Sequence, residues 1–132
     1  MQEELVSFKV AKLAKEKGFN LSSPGYYSCD NPSSGVKGNQ LTLRDWEKWT
    51  NFGSEDLQEG TLIYSAPTQF ILQKWLREVH NINITISIIV DPRYNGYYCE
   101  IRLGRKYISS HYCSKTYEDS LEFALEEALK LI

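Results

Sequence analysis

The pattern of apolar and polar positions is clearest in the second half of the chain. After Pro67, apolar residues recur at helical spacing as far as His80, which predicts an amphipathic helix in which Gln69 reaches back to the N-terminal amides. From Ile82 to Val90 the apolar residues instead alternate with small polar ones, and this period of two predicts a strand with one buried face. The sequence therefore predicts a helix followed by the first strand of a sheet.

The dipeptide Asn95-Gly96 predicts how that strand is paired. Asn-Gly favours a two-residue hairpin turn, because both central positions of a type I′ turn need positive φ. Such a turn pairs Val90 with Ile101 and Ile88 with Leu103, so the apolar faces of the two strands coincide. We therefore expect a hairpin over residues 82–103 that turns at positions 95 and 96.

The chain after the hairpin predicts a third strand and a final helix. A turn at 104–106 precedes a strand near 107–112, and Thr116 is a candidate N-cap. The apolar positions of this helix share one side, namely Tyr117, Leu121, Ala124, Leu125, Ala128 and Leu131. An acidic stripe covers the other side, namely Glu118, Glu122 and Glu126. From residue 66 onward the predicted order is α-β-β-β-α, and we expect an α+β fold in a single domain, 1–132, with the antiparallel sheet packed against helices.

The first half of the chain gives weaker signals. Ser7 is a candidate N-cap for a short helix that ends near Lys17, where Gly18 suits a left-handed residue. Turn-forming residues dominate 20–40, and the patterns predict a brief strand at 26–29, a short helix over 42–51 and a strand at 62–64. We interpret residues 20–64 as a variable, loop-rich region.

Composition and charge limit the classes of partner. The 132 residues carry 15 Lys and Arg against 17 Asp and Glu, and a net charge of −2 argues against attraction of the whole domain to nucleic acid or an anionic membrane. The longest apolar run falls far short of the ~20 residues that cross a bilayer, so we expect no membrane segment. Three cysteines without close spacing and no secretory signal favour reduced thiols in the cytoplasm.

Candidate catalytic and metal-binding groups are few. His111 and Cys113 are two residues apart and would share a strand face, which with Cys99 invites a metal interpretation. Only three ligands are available, and Cys99 falls on the apolar hairpin face. We therefore favour the interpretation that Cys99 is a small, buried apolar side chain. The chain has no phosphate loop or triad pattern. We therefore expect no enzymatic activity and no cofactor.

Aromatic residues supply the main functional signal. They make up 13% of the chain, and Trp46 and Trp49 fall in the loop-rich region. On the outer face of the predicted hairpin, Tyr98 would lie directly opposite Arg93 and near Arg102. Rings beside guanidinium groups suit a purine nucleotide or a protein interface, and exposed aromatic surface favours self-association into a homo-oligomer. The candidate ligand- or partner-binding residues are Trp46, Trp49, Arg93, Tyr98, Arg102 and Arg105.

The α-β-β-β-α order resembles the topology of double-stranded-RNA-binding domains. Such domains hold phosphates with lysines at the start of their second helix, whereas this chain offers Lys115 followed by Glu118 and Asp119. Two carboxylates there would repel phosphate, so duplex RNA is a disfavoured ligand. The alternative function is still a nucleic-acid-binding module, and its basic residues would be Lys9, Lys12, Arg102, Arg105 and Lys106.

Several segments are similar to small uncharacterised bacteriophage and prophage proteins. They are residues 66–82, Tyr117-Glu118, the ending 127–132 and residues 11–19. The resemblance implies a phage origin and supplies no activity. Our leading hypothesis is a non-enzymatic binding protein in the host-cell cytoplasm that sequesters a nucleotide signal of antiviral defence or masks a host protein.

Overall fold

A computed structural model describes residues 3–30, 40–43 and 61–132. The elements in chain order are α1 (Phe8–Glu16), β1 (Gly25–Asp30), β2 (Gln40–Leu43), β3 (Thr61–Ser65), α2 (Gln69–His80), β4 (Ile82–Ile88), β5 (Tyr97–Leu103), β6 (Lys106–Ser114) and α3 (Tyr117–Leu129). The chain divides into two compact units. Residues Leu5–Thr68 form the N-terminal unit, and Met1–Glu4 joins Gln69–Ile132 in the C-terminal unit. The single domain stays a prediction. No helix within the described ranges is long and apolar enough to cross a bilayer.

The N-terminal unit begins with the predicted helix. The Val10 amide donates to Ser7 Oγ at 3.3 Å, which caps α1, and Gly18 follows its end at φ +93°. Val10 and Ala14 bury one side of α1, which packs against β3. Lys15 Nζ also donates to the carbonyl oxygen of Ile63 at 2.6 Å. Helix α1 is therefore held against β3 by its apolar side and by a hydrogen bond from Lys15 to the backbone of that strand.

The sheet of the N-terminal unit is antiparallel, in the order β2-β1-β3. The strands predicted at 26–29 and 62–64 are confirmed as β1 and β3. The helix predicted over 42–51 is wrong at its start, because Thr42 and Leu43 pair with β1 as part of β2. Positions 44–51 lie outside the described residues.

The C-terminal unit confirms the predicted α-β-β-β-α order and the α+β class. Its antiparallel sheet has the order β4-β5-β6. Helices α2 and α3 pack against one face of that sheet, and the core between them buries Leu72, Leu76, Ile101, Leu125 and Leu129 completely. The alternating apolar residues of β4 therefore lie on the face of the sheet against which the helices pack, as the sequence predicts.

The hairpin between β4 and β5 forms, but the predicted turn and register are wrong. Ile84 pairs with Ile101, and Ile88 pairs with Tyr97, so the register differs from the predicted one by six positions along the partner strand. Residues 89–96 form a longer loop in place of a two-residue turn. Because the difference is an even number, the same apolar side chains still share one face. Val90, predicted to pair with Ile101, lies in the loop and is exposed.

A turn at Asp91-Pro92 explains the longer loop. The amide of Tyr94 donates to the carbonyl of Asp91 at 3.0 Å, and Pro92 supplies the fixed φ that suits the second position of such a turn. The amide of Arg93 also donates to the Asp91 carboxylate at 3.0 Å. Asn95 does not adopt a positive φ, since Asn81 is the non-glycine residue that does so in the described ranges. The aspartate-proline turn therefore prevails over the Asn-Gly signal.

The ends of the two C-terminal helices show which local signals were correct. Thr116 caps α3 as predicted, by accepting from the Asp119 amide at 3.1 Å. The Gln69 side chain does not reach back to its own helix, because it donates to the Glu118 carbonyl at 2.9 Å and to the Glu122 carboxylate at 3.0 Å. The predicted inward positions of α3 are buried except Tyr117, its first residue, which is exposed, and Leu131 lies beyond the end of the helix and is exposed too.

Gly96 provides a test of the loop geometry. It has φ +145°, and a Cβ there would lie 2.6 Å from the carbonyl oxygen of Ser114. We expect Gly96→Ala to lower the free energy of unfolding in urea by about 2 to 4 kcal/mol, since backbone strain adds to a clash with immobile backbone. The matched control is Gly104→Ala, at φ +61°, where the nearest atom is the movable Asn81 amide. We expect the control to cost about 1 kcal/mol. Equal losses would contradict the described loop.

Candidate functional site

The face of the β4-β5-β6 sheet opposite α2 and α3 is the outer sheet face, and it carries an open group of tyrosines. Arg102 pairs with Asn83 on one side and with Tyr107 on the other. Four residues away along β5, Tyr98 pairs with Ser87 and Tyr112. Tyr98, Tyr107 and Tyr112 are 41%, 53% and 61% exposed. Tyr107 beside Arg102, and the row of Tyr98 and Tyr112 about 13 Å away at the rise of a strand, therefore face solvent.

At the Arg102 end of this face, the chain forms an open depression of about 810 Å³, which we call the basic concavity. Its lining residues are Asn81, Asn83, Arg102, Gly104 and Arg105. The carbonyl of Asn81 accepts from the Gly104 amide at 2.7 Å, which joins the end of α2 to the turn between β5 and β6. Positive φ values at both residues, +57° and +61°, permit this close approach.

Arg102 is held in place by three contacts. Its Nη2 donates to Glu100 Oε1 at 2.6 Å, and its Nη1 donates to the Arg105 carbonyl at 2.9 Å. Its guanidinium carbon lies 5.8 Å from the centre of the Tyr107 ring, within cation-π range. Glu100 offsets part of the positive charge of Arg102. Arg102 is therefore a positioned donor whose position depends on Glu100 and Tyr107.

Arg105 differs from Arg102 because its charge is uncompensated. The residue is exposed, and its guanidinium forms no hydrogen bond or ion pair with any other part of the chain that the structure describes. A guanidinium presents several N–H donors in a fork that matches phosphate and carboxylate oxygens. Arg105 therefore provides the net positive charge of the basic concavity.

The asparagine amides complete the polar lining. Asn83 Nδ2 donates to the Gly104 carbonyl at 3.3 Å, which fixes the orientation of that side chain. Asn81 Nδ2 lies 2.9 Å from the position that a Cβ on residue 104 would occupy. A side chain at position 104 would therefore displace the Asn81 amide, and glycine keeps the depression open. Amide N–H groups and guanidinium groups together suit an anionic ligand.

Arg93 does not belong to this site. It lies in the 89–96 loop, where its Nη2 is 2.7 Å from Asp91 Oδ2, so the prediction that it faces Tyr98 is wrong. The Asp91 pKa is lowered, first by the side-chain hydrogen bond from Arg93 and then by the Arg93 amide. The Arg93 pKa is raised by the same contact. Its charge is engaged locally in the turn that sets the loop.

The structure brings some of the predicted site residues together and separates others. Arg102 and Arg105 line one depression, and Tyr98 shares the outer sheet face with Arg102. Trp46 and Trp49 lie outside the described residues. The residues that the sequence analysis missed are Asn81, Asn83, Tyr107 and Tyr112. The two asparagines were missed because the predicted register, with Ile88 opposite Leu103, kept the turn after Arg102 away from the end of α2, whereas the observed register pairs Asn83 with Arg102.

Tyr107 and Tyr112 were missed for a geometric reason. Strict alternation would place positions 107 and 112 on opposite faces of β6. The pairing with β5 shifts between Ile101 and Arg102, so that Ile108 is an extra residue. Such a bulge reverses the alternation beyond it, and both tyrosines therefore reach the outer sheet face.

A second depression of about 360 Å³ has the opposite charge. Its lining is Glu3, Glu4, Gln69, Phe70, Gln73, Tyr117, Glu118 and Leu121. Carboxylates repel a phosphate at short range, so this acidic groove does not suit the anion that the basic concavity accommodates. The charges of the lining residues therefore favour the basic concavity, and not the acidic groove, as the site for an anion.

The candidate metal ligands give no metal centre. Cys99 pairs with His111 across β5 and β6, and Cys113 lies two residues further along β6. The His111 ring packs edge-on against Phe123, with centroids 5.2 Å apart. Within the described ranges, no three His, Cys, Asp or Glu residues are grouped so that they could hold a metal ion.

Comparison of the chain with protein-family models, curated proteins and solved structures finds no match. The similarities to phage proteins and to the double-stranded-RNA-binding topology therefore stay expectations. The chemistry of the outer sheet face is what supports a functional proposal.

The Asp91 and Arg93 pair can be tested by titration. We expect the pKa of the Asp91 carboxyl to lie below the ordinary value of an aspartate in the wild type and closer to that value in Arg93→Gln. Carbon NMR of the side chain follows this titration. Because the folded pKa is depressed, any stabilisation exists above the unfolded pKa and is lost as pH falls through the folded pKa. Identical midpoints in both proteins would show that Arg93 is not engaged by Asp91.

Proposed function

We propose that this chain is a non-enzymatic binding protein that holds a phosphate-bearing nucleotide on its outer sheet face. The phosphate would lie in the basic concavity, and the base would stack on Tyr107. The observation that carries the proposal is the position of the exposed Tyr107 ring, 5.8 Å from the guanidinium of Arg102 at the edge of that depression.

Phosphate is the anion that the charges favour. Arg105 brings an uncompensated guanidinium, and Arg102 is already oriented by Glu100. The Asn81 amide adds N–H donors without adding charge, whereas Asn83 Nδ2 already donates to the carbonyl oxygens of Asn81 and Gly104. Charge-assisted hydrogen bonds of this kind contribute about 1.5 to 3 kcal/mol each, which is enough to hold a phosphate in an open depression.

Tyr107 supplies the group that selects a nucleotide over a bare anion. More than half of this side chain is exposed, and its ring is restrained by Arg102 on the neighbouring strand. Stacking of a base on an aromatic side chain contributes about 1 to 3 kcal/mol by alanine substitution. A ligand that carries both a base and a phosphate would therefore bind more tightly than either part alone.

The lining favours binding over conversion. Arginine stays protonated at neutral pH and amides do not titrate, so neither group transfers a proton readily at neutral pH. Glu100 is the carboxylate beside the depression, and it is engaged by Arg102 at 2.6 Å. A site of this composition suits a protein that sequesters its ligand.

The cellular role that we propose follows from the phage resemblance. A nucleotide-binding protein made by a phage in its host's cytoplasm could act by removing a nucleotide signal of antiviral defence. Self-association through Tyr98 and Tyr112, which the nucleotide does not contact, is part of the proposal, because large exposed aromatic surface is costly unless it is covered. Masking of a host protein is the competing role, and it predicts different salt and mutational responses.

A calorimetric titration tests the nucleotide site. We expect adenosine diphosphate to bind the wild type, and we expect Arg105→Ala to weaken binding by about 1.5 to 3 kcal/mol, or roughly 10- to 150-fold. Arg93→Ala is the matched control, because it removes an equal charge from the 89–96 loop. Added salt should weaken binding to the wild type.

Three outcomes would overturn the nucleotide proposal. They are no binding of any adenine mono- or dinucleotide at millimolar concentration, equal losses in Arg105→Ala and Arg93→Ala, and equal binding of adenosine without phosphate. A host-protein interface would instead give little response to salt and a larger loss on truncation of a tyrosine than of Arg105.

Single-stranded nucleic acid is a second candidate ligand, and the row of Tyr98 and Tyr112 favours it. Tyr107 and the row of Tyr98 and Tyr112 share one sheet face and could stack separated bases of one strand, with the basic concavity at one end. Duplex RNA stays disfavoured, because Glu118 and Asp119 occupy the first turn of α3. Lys9 and Lys12, predicted for this function, lie on α1 in the N-terminal unit.

Truncation of Tyr98 separates the two candidate ligands. If a single strand of nucleic acid spans Tyr107 and the row of Tyr98 and Tyr112, Tyr98→Ala should weaken binding of a short oligothymidylate by about 1 to 3 kcal/mol. The same substitution should leave adenosine diphosphate binding unchanged. Fluorescence anisotropy measures the first quantity and calorimetry the second. Tyr94→Ala is the control, since Tyr94 is also exposed but lies in the 89–96 loop. Equal effects of the two substitutions would exclude stacking on Tyr98.

A further inference from the structure

Two thiols that are distant in the sequence meet between β5 and β6. The Sγ atoms of Cys99 and Cys113 lie 3.0 Å apart, and both thiols are free. Cys99 is fully buried, whereas Cys113 is half-buried and also lies 3.3 Å from the His111 carbonyl oxygen. Neither thiol takes part in the proposed nucleotide site, so their proximity calls for its own explanation.

We propose that Cys99 and Cys113 form an oxidation site, at which a peroxide converts the two thiols into an intrachain disulfide that joins β5 to β6. The ligand proposed for the outer sheet face plays no part in this reaction. The two proposals therefore stand or fall separately.

The backbone explains why the sulfur atoms approach. Cys113 is an extra residue in β6, because the pairs Tyr98 with Tyr112 and Tyr97 with Ser114 enclose it without a partner of its own. A bulge re-aims the side chain that it carries. Here the Cys113 sulfur lies beside that of Cys99, so bond formation requires the sulfurs to approach by only about 1 Å.

The chemistry balances with one peroxide for two thiols. The half-buried sulfur of Cys113 attacks a peroxide oxygen, the O–O bond breaks, and one water or alcohol leaves. The sulfenic acid that results is attacked by Cys99 Sγ, which forms the S–S bond and releases the second oxygen as water. The two thiols lose two electrons and two protons, and the peroxide is reduced.

Burial of Cys99 limits the rate of the second step, in which the disulfide closes. Desolvation, followed by the hydrogen bond and the charge repulsion from Cys113, raises the pKa of Cys99 to about 12. Desolvation, the largest of these causes, persists once Cys113 is a sulfenic acid, whereas the effects of the Cys113 thiol do not. Because the thiolate is the nucleophile, the scarcity of the Cys99 thiolate at neutral pH makes disulfide closure slow. We therefore expect the closure rate to increase with pH throughout the alkaline range. A site with this behaviour responds to sustained oxidation and does not turn over rapidly.

The disulfide would act on the strand positions next to the outer sheet face. Tyr98 and Tyr112 are the immediate chain neighbours of the two cysteines and pair directly with each other. A covalent bond between β5 and β6 would fix the register at this bulge. Oxidation would therefore hold Tyr98 and Tyr112 in one arrangement.

Thiol counting after peroxide treatment tests the proposal. The chain has three cysteines, so the reduced and denatured protein takes up three maleimide labels. After treatment of the folded protein with hydrogen peroxide, we expect one label, recovery of three labels after dithiothreitol, and a peptide in which Cys99 is bridged to Cys113. The peptide in which Cys99 is bridged to Cys113 should accumulate faster at pH 9 than at pH 7.

Two variants separate this pair from other thiol chemistry. Cys29→Ser retains the pair, so it should still lose two labels on oxidation, whereas Cys113→Ser should lose none reversibly. Mapping of the bridged peptide in the wild type decides the matter even if Cys113→Ser does not fold. Retention of three labels at pH 9, a bridge to Cys29, bridges between chains, or loss of labels that dithiothreitol does not reverse would each overturn the proposal.

Discussion

The C-terminal unit depends on the burial of one face of the β4-β5-β6 sheet beneath α2 and α3. Leu76, Ile101 and Leu125 are fully buried there, and each such side chain contributes about 1.5 to 3 kcal/mol. In the part of the chain that the structure describes, α2 and α3 cover this face, while Tyr98, Tyr107 and Tyr112 on the opposite face are exposed. The tyrosines and arginines of the outer sheet face can therefore serve a ligand, since the core does not depend on them.

Local signals in the sequence predicted most elements of the fold correctly. Ser7 and Thr116 each cap a helix, and the alternation after Ile82 produces a strand whose apolar face is buried at Ile82 and Ile84, although Ile88 is exposed. These features depend on a few neighbouring residues, and the sequence displays them directly. The hairpin register was wrong because two turn signals compete, and the turn at Asp91-Pro92 closes the loop before Asn95 is reached.

Features that depend on pairing between strands were the least predictable. Arg102 and Arg105 could be identified from the sequence, whereas Tyr107 required knowledge of the bulge at Ile108. The contact between Cys99 and Cys113 has the same origin, because a second bulge sets which side chains meet. Spacing along the chain does not reveal a bulge. For this reason the residues that complete the basic concavity and the thiol pair came from the structure.

The most direct measurement of the central claim is an NMR titration of the nitrogen-labelled protein with adenosine diphosphate. Binding in the basic concavity predicts saturable shifts of the side-chain amides of Asn81 and Asn83 and of the Gly104 backbone amide. The side-chain amide of Gln69, in the acidic groove, should stay unchanged. Shifts at Gln69 with none at the asparagines, or no shifts at millimolar ligand, would contradict a nucleotide site on the outer sheet face.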